Sequence, residues 1–347
     1  MPNVDNLTPF AAISLLSMTR RDEESLTVLV AGRFDLPAAG RPAPRALTIS
    51  EKQQPPPMED IYWGEPGLSS LRYEGQTSYV RPGTDIYLNG HAWAPRGRPC
   101  RHSQIELRVG PCQRVAVVYG DRVWQRGLLG VTTSSPEPFV KIPLQYERCF
   151  GGSPTSASIS TVQAAERNPV GVGLFERSGE AVGHPLPNFE NPNALLRSVG
   201  DRPLPQGFGP VCRSWLPRRT FGGTYDAEWV QSRAPLWPAD FDERFFCAAS
   251  PGLCAVPHLR GGEPVYLAGV SPDGPLSFAL PSVQLQAKFR VAGRIERRLM
   301  LLDGVLLEPD KGVLTMLWRT HQVAQGELLD HAPVVLRELH DWESTGT

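Results

Sequence analysis

Glycine and proline, the residues that most strongly interrupt regular secondary structure, constrain this chain more than any other feature. The 347 residues include 33 glycines and 35 prolines, about a fifth of the chain against an average of roughly 12%. The fraction stays below the ~25–30% typical of low-complexity chains, and 41% of the residues are hydrophobic. We therefore expect one large or two medium domains rich in turns, which disfavours helical bundles, coiled coils and collagen-like rods.

Net charge bears on nucleic-acid binding, and the spacing of the cysteines bears on disulfide and metal binding. Basic and acidic residues are nearly balanced, 35 against 36, so we expect no nucleic-acid partner. The cysteines lack a C-x-x-C pair and metal-ligand spacing, which predicts free thiols in a reducing cytoplasm and no metal site. The six are Cys100, Cys112, Cys149, Cys212, Cys247 and Cys254.

The N-terminal region does not have the order of a signal peptide. The apolar stretch at 10–18 follows Asp5, and Arg20 and Arg21 come after it, whereas a signal peptide places its basic residues first. No run approaches the ~20 apolar residues of a membrane span. We expect a cytoplasmic protein that does not contact a membrane.

Alternating apolar residues predict strands in the first third and the last quarter of the chain. The predicted strands cover 26–34, 85–93, 104–109, 114–119, 283–291, 295–302, 305–307 and 313–319. Asp-Gly and Gly-Asp pairs predict hairpins at 120–121 and 303–304. The last quarter should form an antiparallel meander over 283–319, and the tail from about 333 is either a short helix or a strand.

The middle of the chain, 140–263, has the signals of short helices among many loops. Asn191 with Pro192 predicts a helix that ends at Gly200. Thr224 predicts a cap for a helix over 225–233. Asp240 and Glu243 form a capping-box pattern. The predicted fold class is mainly β with a few short helices, a β-rich α+β fold of antiparallel sheets or a sandwich with long, ordered Gly/Pro-rich loops.

The sequence lacks the motifs of several catalytic classes. It contains no phosphate loop, dinucleotide fingerprint, G-x-S-x-G or H-E-x-x-H motif, so we expect no cofactor. Carboxylates in Gly- and Pro-rich surroundings leave two interpretations open: a glycan or peptidoglycan hydrolase with paired carboxylates, or capping and loop fastening, which is favoured. These are Glu147, Glu190, Asp226, Asp240, Asp242 and Glu263. His91 is expected to be a hydrogen-bonded structural imidazole.

A series of ordered motifs extends through most of the chain. They are Tyr-Trp-Gly-Glu-Pro at 62–66, Arg-Pro-Gly-Thr-Asp-Ile at 81–86, Gly-His-Ala-Trp-Ala-Pro at 90–95, Pro-Leu-Gln-Tyr-Glu-Arg-Cys-Phe-Gly-Gly at 143–152, Asn-Pro-Val-Gly-Val-Gly at 168–173, Leu-Pro-Asn-Phe-Glu at 186–190, Gly-Phe-Gly-Pro at 207–210, Trp-Leu-Pro-Arg at 215–218, Gly-Thr-Tyr-Asp at 223–226 and Pro-Ala-Asp-Phe-Asp at 238–242. Together these motifs resemble a bacterial domain-of-unknown-function family whose members are regarded as adaptors, or chaperones, for type VI secretion effectors.

The resemblance implies a cytoplasmic protein that is not itself secreted, and it supplies no catalytic site; together with the missing motifs, this leads us to expect that the protein is not an enzyme. It would bind a cognate effector, often one with a PAAR or PAAR-like domain, and promote loading of that effector on the VgrG spike; direct contact with VgrG stays open. The resemblance covers 1–285, and we expect 286–347 to form a β-meander and tail packed on the same body. A glycan or peptidoglycan hydrolase, or a carbohydrate-binding β module, is the alternative.

Loop aromatics and arginines are the residue types that dominate protein interfaces. Most aromatics of the middle region are expected to be core residues, but Trp215 and Trp237 lie in predicted loops and are candidates for exposure. The residues predicted to contact a protein partner are Arg72, Trp215, Arg218, Arg219 and Trp237.

Overall fold

A computed structural model describes residues 4–128, 130–153, 158–291, 293–324 and 333–339. In this part of the chain the first twelve strands are β1 Val4–Asn6, β2 Ala11–Met18, β3 Glu24–Asp35, β4 Thr48–Ile49, β5 Ile61–Tyr62, β6 Leu71–Tyr73, β7 Thr84–Leu88, β8 His91–Trp93, β9 His102–Val109, β10 Cys112–Tyr119, β11 Trp124–Gly127 and β12 Gly130–Thr133. The remainder are β13 Lys141–Pro143, β14 Phe150–Gly151, β15 Val172–Gly173, β16 Phe189–Glu190, β17 Cys254–Ala255, β18 Pro264–Ala268, β19 Leu276–Ala279, β20 Leu285–Val291, β21 Arg294–Leu299, β22 Leu301–Glu308, β23 Val313–Val323 and β24 Val334–Glu338.

Helices are few and short. The α-helices in the described ranges are α1 Ile159–Arg167, α2 Ser178–Ala181 and α3 Ala227–Ser232. Single 3-10 turns lie at Pro95–Gly97, Tyr146–Arg148, Arg218–Phe221, Glu243–Phe246 and Pro309–Lys311. The predicted fold class, mainly β with a few short helices, is confirmed.

The largest sheet has the order β17-β7-β22-β23-β3-β2, with β4 paired on β3. Neighbouring strands run antiparallel except β7 and β22, which are parallel. The central strands are buried on both faces, which explains the nearly continuous apolar run of β3. The predicted strands at 26–34 and 313–319 are therefore confirmed as β3 and β23.

Two further sheets share the main core. A five-stranded antiparallel sheet has the order β16-β10-β9-β18-β19, and a four-stranded sheet has the order β1-β24-β20-β21. Buried residues of all three sheets form one hydrophobic cluster with members on both sides of residue 285. The alternation predicted at 283–291 is confirmed in β20, and the segment from 333 forms β24 as far as the structure describes it.

Both predicted hairpin turns are wrong. The Gly120–Asp121 pair ends β10 without a hairpin, because β16 and β9 already occupy the two edges of β10. The Asp303–Gly304 pair forms a bulge inside β22, where the buried Asp303 carboxylate accepts a hydrogen bond from Arg319. The real turns join β20 to β21 and β22 to β23, so the predicted meander is split between two sheets.

The helix signals of the middle region are only partly correct. Residues 191–200 form no helix. The carboxylates of Glu190 and Asp201 accept hydrogen bonds from backbone amides that would otherwise donate to carbonyl groups within a helix. Helix α3 begins at Ala227 and is capped by the side chain of Asp226, while Thr224 is hydrogen-bonded to Asp240. The predicted capping box is also wrong, because Asp242 caps the 3-10 turn that follows.

Gly120 is required by a close backbone approach. A Cβ atom at this position would lie 1.7 Å from the carbonyl oxygen of Glu137. We expect Gly120→Ala to lower the free energy of unfolding by about 2–3 kcal/mol, the upper range for overpacking. Urea unfolding followed by circular dichroism measures this difference.

Gly179 provides a matched control for Gly120. It lies in α2, is exposed, and has nothing within 4 Å of its would-be Cβ atom. Gly179→Ala should leave stability unchanged or raise it by about 0.4–1 kcal/mol. Equal unfolding midpoints for the two variants would contradict the packing argument.

Candidate functional site

The five residues predicted to contact a partner do not form one surface. Trp215 is only 5% exposed and packs edge-to-face on Tyr146, with ring centroids 5.4 Å apart. Arg218 is 3% exposed. The expectation that Trp215 is exposed is wrong, because a loop aromatic in this chain fills the core beneath its own loop. Neither side chain is accessible for direct contact in this conformation.

The other three side chains are at least partly accessible, and each contacts a different neighbour. Arg72 stacks over the Trp63 ring at 4.6 Å, and exposed Arg219 forms an ion pair with Glu166 at 3.0 Å. Half-buried Trp237 stacks on Phe241, with 4.3 Å between centroids. Their role in partner binding stays a prediction.

The main polar feature of the interior is a network of buried charges that sequence reasoning missed. Arg218 and Arg81 both donate to the Glu74 carboxylate. Arg81 also lies 3.3 Å from the Asp85 carboxylate and 3.9 Å from that of Asp303. The three arginines and three carboxylates of this network balance in charge and are almost fully buried; they are Arg81, Arg218, Arg319, Glu74, Asp85 and Asp303.

Burial and neighbouring charges act against each other in this network. Burial raises the pKa of the Asp85 carboxyl, while the Arg81 charge and the Tyr87 hydroxyl oppose that shift. At Arg81, burial alone would lower the pKa, but Tyr87 and the carboxylates outweigh it and hold the pKa above its usual value. The arginine charge is therefore held in the interior by its partners.

The six carboxylates considered for catalysis each fasten the backbone or another side chain. Asp226 and Asp242 cap helical turns, and Asp240 accepts a hydrogen bond from the hydroxyl of Thr224. Glu147 accepts hydrogen bonds from the amide and the hydroxyl of Ser70, both at 2.7 Å. These contacts agree with the capping interpretation.

The remaining two carboxylates also hold loops. Glu190 accepts hydrogen bonds from Arg122 and from the backbone amide of Leu196. Glu263 accepts hydrogen bonds from the backbone amides of Arg260 and Gly261. In the described part of the chain, no hydrogen bond joins two of these six carboxylates.

His91 is hydrogen-bonded, as the sequence predicted. Its Nδ1 atom lies 2.6 Å from the Asp310 carboxylate, which also accepts a hydrogen bond from the Trp93 indole at 3.2 Å. This arrangement ties β8 to the 3-10 turn at Pro309–Lys311. The prediction of a hydrogen-bonded imidazole is confirmed.

The outermost strand of the four-stranded sheet, β21, is an exposed edge. Within the described residues it pairs with β20 alone, and all six of its side chains are exposed. Ile295 and Leu299 are 54% and 60% exposed. We call β21, Arg294 to Leu299, the edge strand.

The edge strand carries excess positive charge. Its six residues include three arginines and one glutamate. Arg297 lies directly opposite Lys288 of β20. Like charges directly opposite each other destabilise a strand pair. An acidic side chain placed beside them would remove that repulsion.

Comparison with known proteins identifies the family. A family model described as an uncharacterized protein conserved in bacteria, DUF2169, matches residues 21–319. The chain belongs to the DUF2169 family. No curated protein and no solved structure matches this DUF2169 chain, so the comparisons name no ligand or partner. Within the described residues of the DUF2169 chain, no helix is long and apolar enough to cross a membrane.

Proposed function

We propose that this protein is a type VI secretion adaptor that binds a PAAR or PAAR-like effector in the cytoplasm and promotes its loading on the VgrG spike. The family resemblance of the ordered motifs motivates the proposal. The observation that supports a binding role is the edge strand, which among the described residues pairs with β20 alone and has exposed side chains. The protein acts by binding, since the six candidate carboxylates already serve as caps and fasteners.

The edge strand is suited to bind a client by strand addition. An edge presents unpaired N–H and C=O groups that an extended peptide segment can complete, while side chains provide selectivity. Ile295 and Leu299 lie on one face and offer apolar contact. The arginines select an extended client segment that carries Asp or Glu, since three positive charges face one negative charge.

Charge reversal on the edge strand tests this proposal. We expect the double variant Arg294→Glu/Arg297→Glu to reduce recovery of the effector by roughly tenfold, because two attractive contacts become repulsive. The tagged chain is expressed in its native bacterium, and bound proteins are identified by mass spectrometry. The supporting result is recovery of a PAAR-containing effector or VgrG by the unaltered chain and its loss in the double variant.

Arg126→Glu is the matched control. Arg126 is an exposed arginine on β11, a strand of a different exposed hairpin. This variant should retain the effector at the level of the unaltered chain. Recovery of neither PAAR proteins nor VgrG by the unaltered chain contradicts the adaptor function, whereas equal recovery by all variants contradicts only the binding surface.

A further inference from the structure

Three potential metal ligands from distant parts of the chain meet at one end of the largest sheet. Asp85 in β7 and Cys254 in β17 are directly paired across the two strands. Cys247 follows the 3-10 turn Glu243–Phe246. A carboxylate oxygen of Asp85 and the two sulfur atoms all lie within 4.8 Å of one another. We propose that Asp85, Cys247 and Cys254 bind a zinc ion.

The chemistry and spacing of these donors fit zinc. Two thiolates and one carboxylate are ligand types that zinc accepts in tetrahedral sites. With zinc–sulfur and zinc–oxygen bonds of about 2.0–2.3 Å, tetrahedral ligand atoms lie about 3.3–3.8 Å apart. The donor atoms therefore need only small side-chain adjustments, and the fourth coordination position is open to water or another donor.

One oxygen of the Asp85 carboxylate lacks a strong hydrogen-bond donor. Its Oδ2 atom accepts hydrogen bonds from the Tyr87 hydroxyl and the Ala248 amide, both at 2.7 Å. Its Oδ1 atom is buried and has no hydrogen-bond partner of good geometry, and the Cys254 thiol is a weak donor beside the carboxylate. A buried acceptor without a strong partner is destabilising, and a cation bound to the carboxylate would supply that partner. The bonds to Oδ2 already orient the carboxylate.

The charge balance of the interior also accommodates the ion. The network around Asp85 contains three arginines and three carboxylates, so its net charge is zero. A divalent cation that displaces the protons of two thiols adds two positive and two negative charges. Zinc bound in this way leaves the buried network neutral, and Arg81 beside Asp85 offsets the negative charge of the ligand set.

The backbone packs closely around Cys254, and only a glycine fits at position 83. Gly83 lies against the cysteine, and a Cβ atom at Gly83 would be only 2.8 Å from Cys254 Sγ. Both cysteines are half-buried whereas Asp85 is fully buried, so an ion would enter the site from the cysteine side. A sequence search misses this site because Asp85 is remote in the chain from the two cysteines.

Metal content of the full-length protein tests the proposal. Reduced protein is loaded with zinc chloride, passed through gel filtration and analysed by elemental mass spectrometry. We expect about one zinc per chain, and a loss of at least tenfold in zinc affinity for Cys247→Ser and for Cys254→Ser. Cobalt chloride should give sulfur-to-cobalt absorption in the unaltered protein, and this absorption should be weakened in Cys247→Ser and in Cys254→Ser.

Cys100→Ser is the control, because Cys100 is also a half-buried free thiol but lies outside the cluster. This variant should bind zinc as the unaltered protein does. Circular dichroism of the cluster variants separates lost ligation from lost folding. Zinc well below one per chain in folded, reduced protein overturns the proposal, as does equal binding by the cluster variants or a Cys247–Cys254 disulfide that persists in place of the metal.

Discussion

Replacing Glu74 by Gln is expected to lower the free energy of unfolding by about 3–5 kcal/mol. The Glu74 carboxylate accepts hydrogen bonds from Arg81 and Arg218, and all three side chains are almost fully buried. The variant leaves one uncompensated positive charge in the interior. Urea unfolding followed by tryptophan fluorescence measures the loss.

A double-mutant cycle separates this charge effect from a packing effect. Arg218→Met alone should also destabilise, since it leaves the opposite imbalance. Glu74→Gln with Arg218→Met removes both charges, and we expect it to be less destabilised than the sum of the single variants by about 1–3 kcal/mol. Strict additivity in this cycle is the result that would refute the interpretation.

The neighbouring arginine provides the control for the network. Arg219 is adjacent in sequence but exposed, and its partner Glu166 is a surface residue. Arg219→Met should change stability by no more than about 1 kcal/mol, because exposed ion pairs contribute little. If Arg219→Met lowered the free energy of unfolding as much as Glu74→Gln, the buried network would contribute no more to stability than an exposed ion pair.

Replacing Trp318 by Ala should also cost about 3–5 kcal/mol. Trp318 lies in β23 at the centre of the largest sheet, is 1% exposed, and stacks on Phe10 with 5.7 Å between ring centroids. A Cβ atom at Gly32 would lie 2.9 Å from both rings. The two aromatic rings therefore fill the space left by a glycine in β3, and the truncation leaves a cavity that rigid strands cannot close.

Trp63 is the matched control for this core truncation. It is half-buried, and its ring lies beneath the Arg72 guanidinium. We expect Trp63→Ala to lower stability by no more than about 1 kcal/mol, the range of an exposed cation–π contact. Thermal or urea unfolding that ranks Trp63→Ala above Trp318→Ala would contradict the assignment of the main core.

Secondary structure was predictable where local periodicity was strong. The alternation of apolar residues in β20 and the apolar run of β3 identified both strands within a few residues, because burial of one or both faces is recorded in the local pattern. The turn predicted at Asp303–Gly304 was wrong because the local pattern was ambiguous. The same dipeptide can form a hairpin turn or a bulge. Here the hydrogen bond from the distant Arg319 to the Asp303 carboxylate favours the bulge.

The candidate site was less predictable than the fold. Loop aromatics and arginines are typical of interfaces, but they are equally suited to a loop-rich core, and Trp215 and Arg218 proved to be buried. The edge strand was predicted as part of a strand at 295–302, yet its exposure was not. Exposure of a strand depends on which other segments pair with it and cover it, and this information is non-local.

By itself, the amino-acid sequence determined the β-rich class, the presence of shaped loops and the family to which the chain belongs. Glycine, proline and alternating apolar residues act through backbone dihedral angles and local burial, so these properties follow from neighbours in the chain. Only the tertiary structure decided which charges are buried together, which strand is left as an edge and which cysteines meet Asp85. Each of these depends on contacts between segments far apart in sequence, where packing and charge pairing select the partners.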